Sequence, residues 1–152
     1  MGYSQRITVE DYVMAVLQGD FAKLPPRKPG CYSVWYADFS GSEPTAADKD
    51  SFVIVGMTEK GDLLERVSKC VVESLGITGP GNVPGNEHSY FSTTGRLVFL
   101  AYKNQGARRL LITWRGDRCP QCEEHRIYKM FSDGAKHLKQ KRIGPCKLHS
   151  HP

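Results

Sequence analysis

No run of apolar residues in these 152 approaches the ~20 that a membrane-spanning helix requires. The beginning of the chain lacks the apolar core of a signal peptide as well, because Arg6, Glu10 and Asp11 interrupt it. A membrane is therefore not expected as a partner, and the expected location is intracellular, cytoplasmic or nuclear. The sequence also lacks internal repeats and low-complexity tracts, which argues against solenoids and compositionally biased segments. Cysteines number five, an odd count in a chain without a secretion signal, so reduced thiols or metal ligands are expected rather than a disulfide framework. What is present is ordinary for a globular protein: 39% hydrophobic and 24% charged residues over 152 positions suffice for one domain, 1–152, with a buried core. The net charge of +5, with an isoelectric point near 9.0, permits nucleic acid as a partner without singling it out.

Two apolar stretches organise the first half. Gly30-Cys31-Tyr32-Ser33-Val34-Trp35-Tyr36 and Phe52-Val53-Ile54-Val55-Gly56-Met57-Thr58 are rich in β-branched and aromatic residues, and Pro29-Gly30 punctuates the start of the first. Both read as strands. The first is expected to run to about Phe39, and the polar stretch from Ser40 to Asp50 joins it to an antiparallel second strand as a long hairpin loop. Ahead of them, Thr8-Val9-Glu10-Asp11 resembles a capping box. Val9, Tyr12, Val13, Val16 and Leu17 then fall at helical spacing until Gly19. Behind them, a helix over about Asp62 to Leu75 carries Leu64, Val67, Val71 and Leu75 on one stripe, with Arg66, Lys69 and Glu73 off it. The stretch Ile77 to Tyr90 reads as an irregular insertion. A helix is expected over Arg96 to Lys103, with a strand as the competing reading. Leu110 to Trp114 reads as a third strand, and Pro120 opens a helix that continues to Gly134. The fold class expected from this order is α/β in the α+β sense: a small mixed three-stranded sheet flanked by helices, with an extra helix at the N-terminus.

Among residues able to do chemistry, Tyr32, Arg66 and Glu124 form a set suited to phosphodiester hydrolysis. That reaction needs an activated water, positive charge for the developing pentavalent phosphate and, commonly, a divalent metal held by a carboxylate. A tyrosine can orient or deprotonate water, an arginine can fork onto phosphate oxygens, and a glutamate with waters suits Mg²⁺. Each also has a plain structural reading: Tyr32 packs, Arg66 is a solvated helix charge, and Glu124 favours a helix N-terminus electrostatically.

The order of these parts resembles the GIY-YIG nuclease family. Gly30-Cys31-Tyr32 stands for its first motif, Ile54-Val55-Gly56 followed by Thr58 for its second, and Arg66 lies in the next helix. Glu124, followed by Ile127-Tyr128 and Phe131, resembles the family's carboxylate helix. The resemblance covers 29–138, leaving an N-terminal helix and connector, 1–28, and a basic Cys/His tail, 139–152. The extra helix and the long hairpin loop look more like the restriction-enzyme branch than the minimal homing-endonuclease modules. It implies that Tyr32 positions or activates water, Arg66 stabilises phosphate, Glu124 binds one Mg²⁺ or Mn²⁺ ion, and Lys60 is the basic residue near the start of the arginine helix. Glu123 competes with Glu124, which matches the family better through its i+3 and i+4 partners. The chain departs from the pattern at Ile54, where the family has its second tyrosine, at Cys70, where it has His or Tyr, and at Lys139, near its Asn. These departures keep open a fold that binds nucleic acid without cutting it.

A second constellation is Cys119-x2-Cys122 with Cys146-x2-His149, a spacing that suits a tetrahedral structural Zn²⁺. His125 and His151 are spare donors, and thiols without metal are the competing reading. Basic residues also gather in the last third: Arg108, Arg109, Arg115, Arg118, Arg126, Lys129, Lys136, Lys139, Lys141 and Arg142. They are candidates for DNA phosphates, or else a solvated face. Tyr90, Phe91 and Trp114 are candidates for base stacking or for the core. The leading expectation is a metal-dependent DNA endonuclease. The alternatives are a catalytically silent nucleic-acid-binding module and a zinc-stabilised protein-interaction domain.

Overall fold

The central strand of the sheet is the first apolar stretch. The computed structural model describes residues 6–36, 50–75, 101–103, 109–116 and 119–131. Within them, β1 (Arg6–Thr8), β2 (Gly30–Tyr36), β3 (Phe52–Thr58) and β4 (Leu110–Arg115) form one sheet in the order β1-β4-β2-β3. All pairings are antiparallel, with Tyr32 lying between Gly56 on β3 and Trp114 on β4. The helices are α1 (Val9–Gln18), α2 (Leu63–Ser74) and α3 (Pro120–Phe131). Residues 101–103 are helical, and the rest of the helix expected over 96–103 lies outside the described residues, as do 37–49 and 132–152. No helix among the described residues is long and apolar enough to cross a membrane.

The sheet is covered on both sides, which is why β2 shows no polar alternation. Tyr32, Val34, Ile54, Ile112 and Trp114 pack on one face with Tyr12 of α1 and Leu63, Val67 and Val71 of α2. Cys31, Trp35, Phe52, Val55 and Leu111 pack on the other with Ile127 and Phe131 of α3. A bulge opposite Val34/Trp35 lets consecutive Val53 and Ile54 join the first cluster while Phe52 joins the second. Trp35 meets Phe52 and Phe131 edge-on, with ring centroids 5.4 and 5.1 Å away. Each such pair contributes roughly 0.5–1.5 kcal/mol beyond its burial. The indole N–H of Trp35 donates to Thr113 Oγ1 at 3.0 Å, so this packing strands no polar atom of that ring.

Three expectations are corrected. The sheet has four antiparallel strands rather than three in a mixed arrangement. The added strand is three residues long and buries only Ile7, too little to show as a pattern. The buried stripe of α2 is Leu63, Val67, Cys70 and Val71, one position round from the expected one, and Leu75 is exposed. With two leucines in succession the sequence does not choose between them. Gly30 does: a Cβ there would stand 2.5 Å from Leu63, so the missing side chain leaves room for that leucine. On α1, Val9, Tyr12 and Ala15 are buried, whereas Val16 and Leu17 are exposed. Val16 lines an open groove with Phe21 and Leu64.

Candidate functional site

The site is built where the edge strand β3 runs into α2. Thr58 ends the strand, and its Oγ1 accepts the Gly61 N–H at 3.0 Å. Asp62 then caps the helix, its Oδ1 accepting the Glu65 N–H at 2.7 Å. The helix start is tied to the preceding connector as well: the N–H groups of Leu63 and Leu64 donate to the carbonyls of Lys28 (2.8 Å) and Pro26 (3.2 Å). These bonds hold a tight corner, with half-buried Glu59 at one end and half-buried Arg66, in the first turns of α2, at the other. Lys60 lies between them, exposed.

From the opposite face of the sheet, α3 brings a third charged group. Its successive glutamates have separate fates, since neighbouring residues on a helix point about 100° apart. Glu123 is 2% exposed and turned under the helix. Its Oε2 accepts from Arg115 Nη1 at 3.2 Å and its Oε1 from Arg126 Nε at 2.5 Å. Both oxygens are thus engaged in a buried ion-pair network. Glu124 is half-buried and lies within the electrostatic reach of Arg66 and Glu59. Burial is the main cause that pushes its carboxyl up to about 7. The guanidinium of Arg66 opposes this shift, and the charge of Glu59 adds to it. Arg66 Nε and Glu59 Oε1 are shielded from solvent and have no hydrogen-bond partner among the described residues. The guanidinium of Arg66 and the carboxyl of Glu59 thus both lie within electrostatic reach of Glu124.

Tyr32 occupies a different environment. It is 1% exposed, and its ring lies against the backbone of Gly56, where a Cβ would stand 2.5 Å from both Cζ and Oη. The glycine of the second motif therefore makes room for the tyrosine of the first. Ile54, where the resemblance calls for a second tyrosine, is wholly buried and supplies hydrocarbon to the core. Cys70, in place of His or Tyr, is 4% exposed in the same core.

The structure places Arg66 within electrostatic reach of Glu124, and with it Glu59, which the sequence reading did not single out as a site residue. Its signal was positional: it directly follows the strand carrying the second motif and precedes Arg66 by one tight corner. Arg115, expected among the DNA-facing cations, is instead 6% exposed and paired with Glu123, and Trp114, a stacking candidate, is 5% exposed in the core. Arg109 and Lys129 are exposed. Cys119 and Cys122 are half-buried and outside any disulfide among the described residues. The Cys119 carbonyl accepts the Glu123 N–H at 3.0 Å, which places that cysteine at the start of α3. Cys146, His149, His151, Tyr90, Phe91, Arg108, Arg118, Lys136, Lys139, Lys141 and Arg142 lie outside the described residues. No group of three or more His, Cys, Asp or Glu able to hold a metal occurs among the described residues. Comparison with protein-family models, with curated proteins and with solved structures found no match.

Proposed function

We propose that this chain is a DNA endonuclease of the GIY-YIG kind, hydrolysing phosphodiester bonds with one divalent metal ion. The observation that carries this reading is that Arg66 and Glu124, from helices on opposite faces of the sheet, lie within electrostatic reach of one another. Their order along the chain, after Gly30-Cys31-Tyr32 and Ile54-Val55-Gly56, is the order the resemblance requires. Arg66 Nε has no hydrogen-bond partner among the described residues, and its guanidinium is a donor suited to phosphate oxygens. Glu124 offers oxygen only, the ligand chemistry that Mg²⁺ and Mn²⁺ prefer. A divalent ion held there would lower the pKa of a bound water and offset charge on the phosphoryl oxygens. Lys60, exposed beside Glu59, is suited to steering the DNA strand toward the corner. Tyr32 buttresses this corner through Gly56, and a role in orienting water requires its hydroxyl to reach the site past the strand.

Nucleic-acid binding without cleavage is the second reading. It is favoured by the burial of Tyr32 and by the hydrocarbon of Ile54 in place of a second hydroxyl. Incubation of supercoiled plasmid with the protein and Mg²⁺ or Mn²⁺ separates the two. Nicking or linearisation, reduced on the order of 10²-fold or more in Arg66→Ala, is the outcome expected of a nuclease. Intact plasmid together with salt-dependent retention of DNA overturns cleavage and leaves the binding module. Structural zinc belongs to the same proposal, through the two half-buried thiols at the start of α3 and the Cys146-x2-His149 pair. Metal analysis of the purified chain should find about one zinc per molecule.

A further inference from the structure

We propose that this chain pairs with a second copy of itself about a two-fold axis, through the face formed by the second half of α1, the 3-10 turn Phe21–Lys23 and the start of α2. The proposal stands independently of the nuclease reading.

It starts from five consecutive apolar residues, Val13-Met14-Ala15-Val16-Leu17. At about 100° per residue such a run goes right round the helix, and a helix that is apolar on all sides is one that is covered on all sides. Helix α1 is covered on one side only. Tyr12 and Ala15 are buried in the core shared with α2, whereas Met14 is 49% exposed, Val16 50% and Leu17 75%. The turn that follows continues this apolar face with Phe21, 65% exposed. Helical spacing places Val16 and Leu17 with the core residues, and the fold leaves both outside it.

Shape and charge commit this face to a second copy. The projecting side chains stand beside a groove of about 360 Å³ whose apolar lining is Val16, Phe21, Leu24 and Leu64. A ridge and a groove side by side are complementary to the same face turned through half a revolution. Each copy's ridge then enters the other's groove, which is the geometry of an isologous dimer. A single unrelated helix fills the groove and still leaves the ridge in water. The groove also carries charges of both signs, Arg27 and Glu65, both exposed, and neither has an ion-pair partner among the described residues. In the two-fold arrangement Arg27 of one protomer faces Glu65 of its partner, and the same pair forms again across the axis. Exposed pairs of this kind add little affinity, but they fix the register of the two copies.

The test is sedimentation velocity or light scattering of the full chain at micromolar concentrations. The parent is expected as a dimer. Leu17→Glu puts a charge at the most exposed large apolar side chain among the described residues. It should raise the dissociation constant of the dimer by about tenfold or more, and Phe21→Ser should act in the same direction. A far-UV circular dichroism spectrum equal to that of the parent verifies folding, which is expected because both side chains lie largely in solvent in the single chain. Arg27→Glu and Glu65→Arg should each weaken the dimer, and the two combined should restore it, since charges that face each other across a two-fold axis can be exchanged. A monomeric parent overturns the proposal, as does a dimer that neither Leu17→Glu nor Phe21→Ser weakens. A dimer weakened by those two variants but not restored by the charge exchange overturns the two-fold register. Plasmid cleavage enters none of these outcomes, so their failure leaves the nuclease reading where it stood.

Discussion

Glu123 and Glu124 share a chemistry and differ by one step around a helix, and that step gives them opposite energetic characters. Glu123 is ion-paired with two arginines, so Arg115→Met should be costly. It removes the more deeply buried of the two arginines from a buried carboxylate, and breaking such a pair costs about 3–5 kcal/mol, readable by urea unfolding. Unchanged stability would mean that the network is dispensable. Glu124 behaves in the reverse sense. Its carboxyl is pushed from its ordinary value of 4.5 up to about 7, chiefly by burial, so the folded chain holds that proton more tightly than the unfolded chain does. The associated stability is fully present below the unfolded pKa and is lost as pH rises through the folded one. Glu124→Gln should therefore match the parent near pH 4 and exceed it near pH 8 in metal-free buffer. The gain should be about 1–2 kcal/mol, less than the full shift implies because solvent screens a half-buried group. A stability difference that does not change with pH would count against this account.

At the scale of elements, the two motif glycines are spacers. Gly30 admits Leu63 and the carbonyl of Arg115, and Gly56 admits the ring of Tyr32. Gly56→Ala forces the aromatic ring or the strand to move and should destabilise by about 1–3 kcal/mol, the usual cost of overpacking. A thermal melt equal to that of the parent would show that the ring is free to swing away. Strands β2, β3 and β4 and helices α2 and α3 were legible in the sequence because each is a strong pattern between clear stops: Pro29-Gly30, the polar stretch after Tyr36, Pro120. The first strand was not, because its only buried residue, Ile7, acquires meaning through Ile112, which lies over a hundred positions away. The same long-range dependence hid the role of Arg115, which reads as a surface base until Glu123 is folded onto it. Arg66 and Glu124 were candidates by their order alone. Glu59 was not, since a glutamate following a strand looks like any turn residue until α3 closes over the corner.

At the scale of the whole molecule, the candidate site is a seam between two layers. Arg66 belongs to the layer that covers one face of the sheet and Glu124 to the helix that covers the other, with only the edge strand β3 between them. A divalent ion held by Glu124 would add its binding energy to the stability of the fold. A ligand present at about 100 times its dissociation constant stabilises by ~2.7 kcal/mol. In a chain of 152 residues that corresponds to a rise in melting temperature on the order of 5–10 °C. The parent should show this rise with Mn²⁺, and Glu124→Gln should lose it despite its higher metal-free stability at pH 8, so the order of the two melting curves is expected to narrow or cross on adding metal. Phe131→Ala offers the complementary perturbation from a distance. It removes the ring that seats α3 against Trp35 and Phe52, at a cost of about 3–5 kcal/mol, without touching a charged group of the site. If the site is a seam, this variant should weaken Mn²⁺ binding along with stability. A destabilised but folded Phe131→Ala protein that binds Mn²⁺ as tightly as the parent would show instead that the ion is held by one layer alone.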